Sequence, residues 1–268
     1  MTSGSANRAR ARPPWLLLAL GTVAVAFLVM PFLALLQRTP WSGLGELVGR
    51  PVVTDALRLS LLTSLAATGA ALVLGTPLAW LLARQRFPGR SAVRAVVLLP
   101  MVLPPVVGGA ALLFAFGRRG LLGESVYDQT GLLLPYSAWG VIVANTFVAM
   151  PFLIITVEAG LRSMDRRYED AAATLGASQW TVFRRITLPM VAPSIVAGAV
   201  LCWARALGEF GATVTFAGNL QGRTQTMPLA VFLALESGDR QAAIALSLLL
   251  IMVSLAVLVP MRDRWLGA

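Results

Sequence analysis

The chain alternates long uncharged apolar runs with short arginine-bearing stretches. A helix needs about 20 apolar residues, at about 1.5 Å each, to cross about 30 Å of hydrocarbon. Five runs meet that length: roughly Trp15 to Gln37, Leu59 to Ala83, Ala95 to Gly117, Leu132 to Val157 and Ala242 to Met261. A sixth, Leu188 to Gly208, carries Arg205 near its end and still reads as a span. The pattern predicts an all-α integral membrane protein of about six transmembrane helices. The first run follows Arg8, Arg10 and Arg12 as a signal peptide would. It is longer than a usual leader core and no small-x-small cleavage site follows, so it is read as a retained helix.

Two connections are too long to be turns. Glu158 to Thr187 is charged and helical in pattern. Glu209 to Arg240 is rich in Gly and Thr and holds an apolar segment, Met227 to Leu235, too short to span. That segment suits an interfacial or gate-lining helix. No compact soluble domain separates from the rest, which gives a tail over residues 1–14 and one membrane domain over 15–268, with a cytoplasmic loop at about 158–187. If the N-terminus is cytoplasmic, the inner side holds Arg84, Arg86, Arg90, Arg94 and the arginines of 162–185 beside those of both termini. That is roughly twice the arginine of the outer side, and it predicts both termini inside a multi-pass cell-membrane protein.

Composition narrows the chemistry. Apolar residues are 57% of the 268 and charged ones 13%, more apolar surface than one soluble core can hide. A net charge of +10 raises nucleic acid as a partner. The arginines nevertheless sit between membrane-length runs, and nucleic-acid binding is not expected. Histidine and lysine are absent and Cys202 is the only cysteine, so no zinc site, disulfide or His-based catalytic pair can be built within one chain. A membrane enzyme would need an acid, base or nucleophile set that these spans lack. Cys202, beside Trp203, reads as a small hydrophobe.

Within the first long connection, Asp165 can cap a helix bearing Ala171, Ala172 and Leu175, and Gly176 can end it in the left-handed conformation. Ser178 can cap a second helix with Trp180, Phe183 and Ile186 along one side, stopping before Pro189. On pattern alone this hairpin is either an amphipathic loop resting on the bilayer or a docking element. Its register decides. Asp170, Ala171, Ala172, then Gly176, then Ile186, Leu188 and Pro189 resemble the "EAA" signature of permease subunits in binding-protein-dependent ABC importers, with Asp170 where that family commonly has Glu.

The resemblance extends from about Leu57 nearly to the C-terminus and is nearest the molybdate group of this superfamily. It rests on GTPLAWLLARQRFPGR with LLPMVLPPVVGGAALLFAFGRRGLLG, on the hairpin, and on WARALGEFGATVTFAGNLQGRTQTMPLAV. The ALGEFG part is similar in sulfate, thiosulfate and tungstate permeases, which makes those the alternative reading. The resemblance implies a type I ABC importer permease with a cytoplasmic coupling-helix hairpin. It implies a separate cytoplasmic ATP-binding subunit, an extracytoplasmic molybdate-binding protein and a second permease copy as partners. No cofactor is expected on this chain: ATP and Mg would belong to the partner ATPase, since no G-x-x-x-x-G-K-[ST] pattern occurs here. A channel or secondary carrier would have no use for the hairpin.

Three further groups stand out from the residues themselves. Arg205 and Glu209, four apart on a predicted helix, can pair on one face, either as a structural link or as part of a pathway whose arginine still offers donors to a dianion. Phe210, Thr213, Thr215 and Asn219, interleaved with Gly208, Gly211 and Gly218, suit a donor-rich outer mouth or gate in non-helical chain. Pro100, Pro104 and Pro105 with Gly108 and Gly109 imply either a kinked span or a close-packing face.

Overall fold

The computed structural model describes residues 14–266, so Arg8, Arg10 and Arg12 and nearly all of the expected N-terminal tail lie outside the described residues. In chain order the helices are α1 Trp15–Gln37, α2 Leu44–Val48, α3 Pro51–Arg84, α4 Arg90–Val102, α5 Pro105–Phe116, α6 Gly123–Thr130, α7 Ala138–Ser163, α8 Arg167–Thr174, α9 Gln179–Val182, α10 Leu188–Leu207, α11 Gly211–Phe216, α12 Met227–Glu236 and α13 Arg240–Leu266. Helices α1, α3, α7, α10 with its α9 lead-in, and α13 are long and apolar enough to cross a membrane.

The third apolar run is a broken span. Helices α4 and α5 meet at a bend of 119°. Pro104 and Pro105 have no N–H to continue the ladder of α4, and Leu103 and Pro104 are extended, with ψ of 140° and 132°. The fourth span starts later than expected. Tyr136 takes a φ of 59°, and Ser137 caps α7 by accepting the Gly140 N–H at 3.2 Å. At its other end α7 runs on to Ser163, so Glu158 belongs to the span rather than to the loop after it.

Helix α7 lies at the centre, packed against α3 and α10, which also pack against each other. Ala67, Ala71, Ala79, Ala149, Leu153, Val157, Cys202 and Ala206 form the core between them. Lipid removes the hydrophobic drive between helices, so contact depends on small residues that let backbones approach. Helix α3 shows this: its buried positions include Ala56, Ser60, Thr63, Ser64, Ala67, Ala71 and Gly75, while Leu62, Leu65, Val73 and Leu74 face outward. The buried hydroxyls of Thr63 and Thr68 donate to Leu59 O and Ser64 O, each at 2.8 Å, and need no partner on another helix.

Two smaller cores complete the body. Val53 and Ala56 of α3 pack with Met227 and Ala230 of α12 and Leu246 of α13, and the Met227 N–H donates to Ser60 Oγ at 2.7 Å. Leu112 of α5 packs with Ala144 and Val148 of α7 and with Ala212 and Phe216 of α11. A Cβ on Gly109 would stand 2.7 Å from Thr215 Cβ and 2.8 Å from Ala212 O, so only glycine lets α5 lie this close to α11. The Pro/Gly run therefore supplies both a break and a packing face. No residue of α1 is buried.

Candidate functional site

The hairpin forms as its sequence predicts, with one difference. Asp165 Oδ1 accepts the Arg167 N–H at 3.0 Å at the start of α8. Gly176 closes α8 at a φ of 82°, its N–H donating to Ala173 O and that of Ala177 to Ala172 O. Ser178 Oγ then accepts the Thr181 N–H at 3.2 Å at the start of α9. The second helix does not stop before Pro189. It widens into a π turn, Phe183–Thr187, and enters α10 with Pro189 in its first turn. Pro189 has no N–H and its ring would clash with the carbonyl four residues back, which a wider turn relieves.

Asp170, Ala171, Gly176 and Pro189 are exposed, and Ala172, Ile186 and Leu188 are half-buried. Leu175 and Trp180 project at 89% and 69% exposure, large apolar groups on a charged surface. Trp180 stacks on Phe183, which meets Trp80 of α3 edge-on. The acid that engages the rest of the protein is Glu169, which the sequence reasoning passed over in favour of Asp170. Its Oε2 lies 3.2 Å from Arg84 Nε, and its Oε1 accepts from Thr187 Oγ1 at 2.7 Å. A cavity of about 320 Å³ opens beside this contact, lined among others by Gln85, Asp170 and Gln179. In a separate cluster, Arg94 of α4 and Arg162 of α7 both reach Glu158 Oε1, the latter at 2.7 Å.

The second candidate group lies at the other end of α10, about 30 Å along its 20 residues. Helix α10 ends at Leu207, so Glu209 sits just beyond it, yet Arg205 Nη1 still reaches Glu209 Oε2 at 2.7 Å. Glu209 Oε1 accepts the Ala212 N–H at 2.8 Å, which satisfies the start of α11. The Glu209 side chain is 1% exposed and the Arg205 side chain 27%.

Residues 211–216, expected as non-helical chain at an open mouth, form the helix α11 instead, and Gly211, Thr213 and Phe216 are buried. Two features hold it: the Glu209 carboxylate at its start and the glycine contact with α5. Thr213 Oγ1 is 3.4 Å from Asn145 Oδ1, and Thr215 Oγ1 donates to Gly211 O at 2.8 Å, so both hydroxyls point into protein. Phe210 packs against Phe232 of α12 with ring centres 5.0 Å apart. Asn219 Oδ1 is buried without a hydrogen-bond partner among the described residues.

A bundle of membrane-length helices with one span broken and a capped helical hairpin between two others is the architecture of a polytopic membrane component. The chain belongs to the family of binding-protein-dependent transport system inner membrane components, whose sequence profile matches residues 75–266. Over 252 residues it is 44% identical to the molybdenum transport system permease protein ModB of Mycobacterium tuberculosis, covering 94% of each chain. It is 36% identical over 251 residues to the sulfate transport system permease protein CysT of Escherichia coli, covering 91% of this chain and 90% of that one. The fold matches that of a bacterial ABC transporter involved in the import of the acidic polysaccharide alginate, with a TM-score of 0.72 at 20% identity over 93% of this chain and 94% of the other.

Proposed function

We propose that this chain is the membrane-spanning subunit of an ATP-driven importer that moves molybdate across the cytoplasmic membrane. The observation that carries the substrate is the higher identity to a molybdenum permease, 44% against 36% for a sulfate permease, each across more than nine-tenths of this chain. Sulfate, thiosulfate and tungstate are the alternative solutes, because these dianions share charge and shape.

In this reading the hairpin docks a separate ATP-binding subunit, which handles ATP and Mg. Asp170, Ala171, Ala172 and Gly176 present the docking face, and Ile186, Leu188 and Pro189 join it to α10. Support comes from its exposed small residues and the two apolar projections, Leu175 and Trp180. Two copies of the chain line a two-fold pathway, with a molybdate-binding protein docking on the outer face and both termini in the cytoplasm. Arg205, steadied by Glu209, offers its remaining donors to the passing dianion. Phe210, Thr213, Thr215 and Asn219 shape the protein around that step.

The test is the molybdenum and tungsten content of cells lacking the gene, grown in trace molybdate, together with their growth on sulfate as sole sulfur source. Molybdenum should fall and be restored by excess molybdate, with sulfate growth intact. Normal molybdenum with failed growth on sulfate would assign the chain to sulfate.

A further inference from the structure

Of Asp165, Glu169 and Asp170, only Glu169 turns inward. Its carboxylate joins three pieces of the fold: α8, on which it sits, Arg84 at the last residue of α3, and Thr187 at the last residue of the π turn leading into α10. The Arg84 side chain is 8% exposed and that of Glu169 17%. Otherwise α8 is loosely held, with no residue of the helix buried. A shift of α8 relative to the spans can therefore pass directly through this carboxylate, the other routes being the Phe183–Trp80 contact beneath α9 and the backbone at either end of the hairpin. A buried ion pair adds little net stability over an apolar pair of similar volume, because desolvation offsets the attraction, but it fixes direction and register.

We infer that Glu169 and Arg84 are positioning residues that transmit displacement of the hairpin to α3. The inference rests on the hairpin being the docking site of the ATP-binding subunit. In proteoliposomes holding the assembled complex, with binding protein and molybdate present, the quantity to measure is molybdate moved per ATP hydrolysed. Glu169→Gln and Arg84→Gln should retain the ATP-binding subunit and its ATP hydrolysis while that ratio falls about tenfold. The exchanged pair Arg84→Glu with Glu169→Arg should recover most of the loss, which ties it to the contact between the two residues. A merely structural role would lower assembly and ATP hydrolysis along with transport and leave the ratio unchanged. Thr187→Val, which removes only the hydroxyl donor, should lower the ratio about twofold to threefold.

A wild-type ratio in the single variants overturns the link, as does an exchanged pair no better than the singles. Loss of the ATP-binding subunit from Glu169→Gln overturns it too, by placing Glu169 in the docking face. If the Gln variants do not fold, a wild-type ratio in Thr187→Val overturns it. Failure of the unaltered chain to retain the ATP-binding subunit, or retention that survives bulky substitutions at Gly176 and Ala172, would instead refute the docking reading.

Discussion

Glu209 shows how a charge is kept in the interior of a membrane protein. One oxygen faces Arg205 and the other satisfies the start of α11, so the carboxylate exchanges water for two fixed partners. Glu209→Ala leaves a half-buried Arg205 without its partner and an orphaned N–H, and thermal unfolding in detergent should show a loss of about 2–3 kcal/mol. Arg205→Met combined with Glu209→Leu should recover only part of that stability, because neither charge then needs a partner while the Ala212 N–H stays orphaned. Gly109→Ala should cost about 1–3 kcal/mol in the same assay, since its methyl would press on backbone and Thr215. Gly69→Ala, with nothing within 4 Å, should cost nothing measurable. At this scale the sequence was partly legible. Local chemistry placed Gly176 and Ser178 correctly, because caps and left-handed turns are set by neighbours along the chain. Glu169 was missed because its partner Arg84 is far away in sequence, and spacing within the hairpin says nothing about which of two adjacent acids faces inward.

Among elements, the apolar runs were the readable part, because a helix in lipid must be long and uncharged wherever it sits. The break between α4 and α5 is foreshadowed by Pro104 and Pro105, whereas its angle of 119° and the close seating of α5 on α11 at Gly109 are tertiary features that no local pattern encodes. Helix α11 itself was read as irregular chain, since a stretch of Gly and Thr has weak helix propensity. Tertiary contacts and a cap from Glu209 override that preference. The inner face of α3 was also hidden: its buried positions are Ser, Thr, Ala and Gly, which a search for apolar stripes passes over. Ser60→Ala tests this face. It orphans the buried Met227 N–H and should destabilise the α3–α12 junction by about 1–3 kcal/mol. Thr63→Val removes a hydroxyl bonded only within its own helix and should change stability by less than about 0.5 kcal/mol.

For the whole molecule, the arginine bias predicts that the hairpin faces the cytoplasm and the turn after α11 faces out. Cys202 is the sole cysteine and is buried, so a Cys202→Ser background makes the test simple. Ser178→Cys in intact cells should resist a membrane-impermeant maleimide and react after lysis, whereas Gln221→Cys should react in both; the opposite pattern would invert the topology. Helix α3 ties these two faces together, and the ion pairs at its ends are unequal. Arg50, just before it, meets Asp239 at 3.6 Å with both side chains about half exposed, a contact worth at most about 1 kcal/mol and weakened by salt. Arg84 at the other end is sheltered from solvent. Pro77 lies between, where a missing N–H bond lets the helix flex. The arm from Pro51 to Pro77 is about 40 Å long, so a tilt of about 10° at Pro77 would carry its far end, with the α12 and α13 residues packed on it, about 7 Å. Such a lever is held at both ends, by the packing of Val53 and Ala56 on α12 and α13 and by the sheltered Arg84, so raised ionic strength would release the Arg50–Asp239 contact while leaving both anchors in place.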